Sequence, residues 1–187
     1  MKILSQIQKL DNFILSNFKN HIQNKFFDRL MPIITAMGNL GIVWLLIASL
    51  LLFSKPYRTI GSIVILTLII STIMGEGLIK HIVKRSRPCT NREDMELLIK
   101  RPITSSFPSG HTLSSFAVAE VLSIYFIHYR LIFLCLALLI ALSRLYLYVH
   151  YPSDIIAGIL LGILCSRITF FVIKEGFVFY KRIILKW

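Results

Sequence analysis

Acidic residues are scarce in this chain: nine Asp and Glu stand against 21 Lys and Arg among 187 residues, a formal net charge of +12. Charge of either sign is sparse, at 16%, where a soluble domain carries about 25%. The chain is 56% hydrophobic and its mean hydropathy is +0.72. A water-soluble enzyme and a disordered tail are both excluded, because a fold of this length cannot hide so much apolar surface. Cysteine is rare as well. Cys89, Cys135 and Cys165 are odd in number and widely spaced, which excludes a disulfide framework and a metal knuckle. Residues 1–30 lack an unbroken apolar core, so no cleavable signal peptide is expected. Internal repeats and low-complexity stretches are missing too, and one domain over residues 1–187 is expected.

What is present is a series of long apolar runs. Ile33–Phe53, Thr59–Ile79, Thr112–Tyr129, Leu131–Tyr148 and Ile155–Ile173 each approach the ~20 residues that carry a helix across a bilayer. Ahead of them, Ile3, Ile7, Leu10, Ile14, Leu15 and Phe18 recur at helical spacing among charged residues. This predicts an amphipathic helix within residues 1–30, lying at the membrane interface. The expected fold class is all-α: a polytopic transmembrane helix bundle with five spans, plus the N-terminal helix as an interfacial or sixth segment. A basic tail over residues 174–187 follows. Because the basic residues lie between apolar runs, the bilayer and a phosphorylated lipid fit them as partners better than nucleic acid does.

This order places the end of the second span, the start of the third, the end of the fourth and the start of the fifth on one side of the membrane, here called face A. The long connection over residues 80–111 lies there, and so do three polar clusters. The first is Lys80 with Arg87-Pro88. Seven residues apart on a continuing helix, the two cations would share one side and could grip a tetrahedral phosphate. The plainer reading is a run of snorkelling basic residues that includes Lys84 and Arg85. The second cluster is Pro108-Ser109-Gly110-His111. Ser109 is an N-cap candidate, Gly110 admits a ligand to the backbone, and the free N–H groups of a helix start attract an anion. His111 beside it could pass a proton. An ordinary capped helix is equally compatible.

The third cluster is Ser143-Arg144, His150 and Asp154. Arg144 is a charge near a span end, costly unless it is used. Pro152 is suited to open the next helix, and Asp154 in that helix's first turn could reach back to His150. Such a pair fixes the tautomer and strengthens the other ring nitrogen as a nucleophile. An interfacial Arg144–Asp154 pair is the alternative. Together the clusters offer three cations, a helix start, two histidines and one carboxylate. That inventory matches phosphoryl transfer through a histidine, with His150 attacking and His111 moving the proton. Glu93, Asp94 and Glu96 lie in the long loop outside every cluster and read as solvated, so neither a metal nor another cofactor is expected.

These clusters resemble the three signature motifs of the type 2 phosphatidic acid phosphatase superfamily. That group includes bacterial undecaprenyl-diphosphatases, phosphatidylglycerophosphatases and, more distantly, vanadium haloperoxidases. All eleven signature residues are present: Lys80, Arg87, Pro88, Pro108, Ser109, Gly110, His111, Ser143, Arg144, His150 and Asp154. The resemblance implies a metal-independent membrane phosphatase for a lipid phosphate or diphosphate. Undecaprenyl diphosphate is the first choice, with phosphatidylglycerophosphate and phosphatidate as alternatives. It implies His150 as nucleophile, His111 as acid and base, and Asp154 as orienting carboxylate. Lys80, Arg87, Ser109, Gly110 and Arg144 would bind phosphate. It also implies a core of six helices, against five spans counted above. A headgroup-binding or transport protein would explain the cations but not the two histidines.

Glu76, one turn before Lys80, is expected to pair with it. Glu120 is expected to be protonated or paired within the bundle, and Arg167 to snorkel. Gly38, Asn39 and Gly41 read as close helix packing or as part of a substrate groove. The protein is expected in the cell membrane with face A outward. The Lys and Arg count taken literally favours the reverse, but the acidic loop residues and the family resemblance weigh against it. Cys89, outside the spans, is expected to be the accessible thiol.

Overall fold

In the computed structural model, which describes residues 2–90 and 96–184, the N-terminal periodicity becomes helix α1, Lys2–Ile22. It ends before residue 30 because Asn24 starts a second helix. The Asn24 side chain accepts from the backbone N–H groups of Phe26 and Phe27 at 3.0 Å, capping α2, Lys25–Gly38. After a turn at Asn39–Gly41 comes α3, Ile42–Phe53. The turn needs positive φ at Leu40 and Gly41 (51° and 69°), which glycine supplies at no steric cost and leucine does not. The first crossing segment therefore runs over Lys25–Phe53, starting well before Ile33.

Helix α4, Arg58–Thr72, passes through a π-helical stretch, Ile73–Ile79, into the short α5, Lys80–Val83. Lys84 then takes a left-handed conformation (φ 47°) and ends the helix. Lys80 and Arg87 are thus not two turns apart on one helix, contrary to the expectation from spacing. The central element is α6, Gly110–Tyr125. It packs against α4, against α7 (Arg130–Tyr146) and against α8 (Pro152–Ile184). Val118, Ala119, Val121 and Leu122 on α6 are wholly buried. At 16 residues it is about 24 Å long.

Four helical stretches among the described residues are long and apolar enough to cross a membrane: Lys25–Phe53, Lys55–Val83, Ile127–Tyr146 and Pro152–Gly176. The third expected span, now α6, falls below that length because its helix stops at Tyr125. The architecture is otherwise the expected all-α bundle, and the described residues contain no strand. The tail after residue 173 is not a separate segment: α8 stays helical to Ile184. Lys186, and Glu93 and Asp94 of the long loop, lie outside the described residues.

Two glycines seat α8 on α6. A Cβ at Gly158 would stand 3.0 Å from the Ser109 carbonyl oxygen, and one at Gly162 would stand 2.6 Å from that of Leu113. This small-xxx-small spacing lets the backbones approach closely, and it brings the start of α8 against the start of α6. Helix α1 lies at the same end. Leu15, 1% exposed, packs with Ala141, Leu145, Tyr148, Tyr151 and Ile155, while Leu10 and Phe13 point away from the protein. Glu120 and Arg167 pair at 3.2 Å, so Arg167 has a partner beyond snorkelling. Cys89 is fully buried and cannot serve as the accessible thiol.

Candidate active site

His150 occupies the tight turn between α7 and α8 and is 1% exposed. Pro152 opens α8 and Asp154 falls in its first turn. One carboxylate oxygen of Asp154 accepts the Tyr151 N–H at 2.9 Å, and the other accepts Arg85 Nη1 at 2.6 Å. The first of these, Oδ2, lies 3.6 Å from His150 Nδ1, beyond hydrogen-bond length, so the expected contact is a close approach and Nδ1 is buried without a hydrogen-bond partner. On the far side of the ring, Nε2 lies 3.0 Å from Arg87 Nη1. A guanidinium can only donate, so Nε2 holds the lone pair and the ring proton sits on Nδ1, toward Asp154. Burial, then the charges of Arg144, Arg87 and Lys80, push the His150 pKa well below 6.5. The ring is therefore neutral at pH 7, the form with a free lone pair.

Three cations of the cluster are nearly buried: Lys80 at 8%, Arg87 at 3% and Arg144 at 4% exposure. Arg87 is held by the loop. It donates to the carbonyls of Thr104 (2.7 Å), Val149 (2.9 Å) and Ser105 (3.1 Å), and to Thr104 Oγ1 (3.1 Å). Lys80 Nζ reaches the same Thr104 hydroxyl at 3.4 Å and Glu76 Oε1 at 2.5 Å. The loop, not a shared helix face, unites the two cations. Arg144 Nη1 donates to Thr35 Oγ1, and Arg144 Nε is buried without a hydrogen-bond partner. Charges so buried are costly unless an anion joins them.

The start of α6 completes the cluster. Ser109 caps the helix, its Oγ accepting from Thr112 Oγ1 at 2.9 Å. Its own N–H donates to the Asp154 carbonyl at 3.2 Å, joining the second and third clusters. Gly110 faces Glu76, whose carboxylate would lie 2.2 Å from any Cβ added there. His111 Nε2 donates to Asn39 Oδ1 at 2.8 Å, and Gly38 packs against the same ring. Gly38 thus serves close packing, as expected, and Asn39 holds the His111 ring. His111, Gly110 and Glu76 line a cavity of about 490 Å³ together with Leu40, Leu45, Leu68, Ile69 and Ile73, a volume suited to a small-molecule site.

All eight expected site residues therefore converge. Sequence reasoning missed Arg85, Ser153, Thr104, Thr35 and Asp11. Arg85 reads from its basic run as a snorkelling residue. Instead it bonds the carboxylates of Asp154 and Asp11. The one available signal was Asp11 itself, a charge one helical turn from Leu15 in an apolar pattern.

The sequence pattern of the PAP2 superfamily matches residues 57–176, which include all three clusters. The chain belongs to the PAP2 superfamily. Among curated relatives of this PAP2 protein, an undecaprenyl-diphosphatase of Sulfolobus acidocaldarius is 32% identical over 152 residues, 81% of this chain and 73% of its own length. The chain spans about half the length of further curated relatives that it matches. Among solved structures, LpxE of Aquifex aeolicus superposes with a TM-score of 0.72 at 27% identity, over 86% of this chain and 94% of that one. A PAP2 type phosphatidylglycerolphosphate phosphatase from Bacillus subtilis shares the fold. Its TM-score is 0.72 at 23% identity, over 91% and 87% of the two chains. Asp11, Thr35 and Asn39 lie outside the family match, although they bond Arg85, Arg144 and His111 in turn.

Proposed function

We propose that this PAP2 protein hydrolyses a lipid diphosphate, undecaprenyl diphosphate to undecaprenyl phosphate plus phosphate, through a phosphohistidine and without a metal. The observation that carries this reading is the setting of His150: neutral and buried, its Nδ1 3.6 Å from Asp154 Oδ2 and its Nε2 against the buried Arg87 guanidinium at 3.0 Å. Lys80, Arg87, Arg144 and the α6 start around Ser109 and Gly110 hold the phosphoryl oxygens and balance the charge that grows on them. Nε2 attacks phosphorus as the bond to the leaving oxygen breaks, and His111 gives that oxygen a proton. Water then attacks the same phosphorus. His111 takes the water proton, the N–P bond breaks and phosphate leaves. The apolar walls of the cavity ending at His111 suit a hydrocarbon chain better than a soluble leaving group. The Sulfolobus acidocaldarius relative, by its name, supports the same substrate.

The test is phosphate release from undecaprenyl diphosphate, phosphatidylglycerophosphate and phosphatidate by the purified protein. The first should give the highest kcat/KM. Faster turnover of another lipid would replace the substrate, and hydrolysis of none would overturn the reading. Activity should survive EDTA, and orthovanadate should inhibit by taking the five-coordinate geometry of the transition state. Loss of activity in EDTA, restored by magnesium, would contradict metal independence.

We place face A on the extracytoplasmic side, since the basic residues beyond Ile173 at the opposite end suit an anionic inner leaflet. Ile103 in the long loop is 99% exposed, which makes it the position for a label. In a background without native cysteines, Ile103→Cys should react with a membrane-impermeant maleimide in intact cells. Reaction only after permeabilisation would put the site in the cytoplasm.

A further inference from the structure

Asp154 is shared. Arg85 Nη1 holds its Oδ1 at 2.6 Å and donates to Ser153 Oγ at 2.7 Å. The other arm, Nη2, donates to Asp11 Oδ2 and Gln8 Oε1 of α1, both at 2.7 Å. The guanidinium lies 4.1 Å over the Tyr151 ring, which keeps the fork in one plane. Asp11 also grips the first turn of α8. Its Oδ1 accepts the Ser153 N–H at 2.9 Å and its Oδ2 accepts Ser153 Oγ–H at 2.5 Å. Asp11 thus caps, from a different helix, one of the N–H groups that a helix start leaves unpaired. It is 3% exposed, and a helix that merely covers the bundle has no need of a buried carboxylate there.

We infer that Asp11 is a positioning residue: through Arg85 and Ser153 it holds the Asp154 carboxylate in the orientation that faces His150, making α1 part of the catalytic apparatus. This rests on the proposed role of the His150–Asp154 pair. The physical reason is a divided fork. Each arm of Arg85 serves a different carboxylate, so Asp154 gives Oδ1 to Arg85 and keeps Oδ2 on the Tyr151 N–H, 3.6 Å from His150 Nδ1. Without the Asp11 charge, only the neutral Gln8 amide competes with Asp154 for the Nη2 arm, and a bidentate pair is the favoured geometry for guanidinium and carboxylate. The carboxylate then turns from His150 toward Arg85. Ser153, released from Asp11, no longer fixes the turn on which Asp154 sits.

The experiment uses the full chain in lipid nanodiscs with p-nitrophenyl phosphate, comparing wild type, Asp11→Asn, Arg85→Gln and the double variant. Asp11→Asn should lower kcat by about tenfold to a hundredfold, the scale of a misplaced catalytic group. The inhibition constant of inorganic phosphate reads Lys80, Arg87 and Arg144, and should change by less than about twofold. The double variant should be no slower than the slower single one, since both act through one contact chain. Wild-type kcat in Asp11→Asn would overturn the inference. So would an equal loss of phosphate affinity, which would mean that the whole site collapses, or losses that multiply in the double variant. His150→Ala separates this from the underlying reading. If that variant still turns over, the phosphohistidine mechanism falls; if it is inactive while Asp11→Asn is normal, only the role of Asp11 falls.

Discussion

His150→Ala should lose hydrolysis by at least about 10⁴-fold in kcat/KM, the scale seen when a covalent nucleophile is removed. The ring is 1% exposed, and the group nearest its Nε2 is a cation, Arg87 at 3.0 Å. Among the eight site residues the only other imidazole is His111. It is held by Asn39 through Nε2 and lines the cavity. Alanine leaves the cations and the α6 start in place, so inorganic phosphate should still bind while no bond to phosphorus can form. Phosphate release and phosphate inhibition, measured on the same preparation, check both halves. Turnover within about tenfold of wild type would assign the chemistry elsewhere.

Arg144→Lys should cost at least about a hundredfold in kcat, the loss typical of one removed transition-state donor. Arg144 is 4% exposed. One arm is spent on Thr35, while Nε is buried with no partner, so the side chain can serve Thr35 and a phosphoryl oxygen at once. A lysine in the same space is a point charge on a flexible stem and cannot keep both contacts in one plane. The lost donor matters most when charge on the oxygens is greatest, so kcat should fall more than phosphate affinity. Near-normal turnover would leave Arg144 with only the Thr35 contact.

What could be read in the sequence was local. His150 and Asp154 are one helical turn apart, Ser109 to His111 are consecutive, and Glu76 and Lys80 pair at i,i+4 as expected. Apolar runs of nearly 20 residues made the bundle legible. Contacts between distant positions were not. Arg85 and Asp11 are 74 residues apart, His111 and Asn39 are 72 apart, and Arg144 and Thr35 are 109 apart. No spacing rule connects them, because the packing of α1 and α2 against α6, α7 and α8 decides them. Periodicity misled at one point. Seven residues between Lys80 and Arg87 suggest a common helix face, but Lys84 turns left-handed and ends the helix. Thr104, on the returning loop, then supplies the link between the two cations. The first crossing began early for a simpler reason: Lys25, Asp28 and Arg29 interrupt the apolar run, and only the Asn24 cap marks that the helix has already started.

The central claim is that the phosphoryl group rests on His150. The most direct measurement is to trap it. In the His111→Ala protein the first step can still run with p-nitrophenyl phosphate, whose leaving group needs no proton, while the water-attack step is slowed. Radiolabelled substrate, quenched in alkali and mapped by mass spectrometry, should give one phosphate on the peptide that carries His150. The His111→Ala/His150→Ala double variant should give none. Label on any other residue, or a wild-type enzyme that turns over while the His111→Ala protein traps no phosphate at His150, would contradict the account.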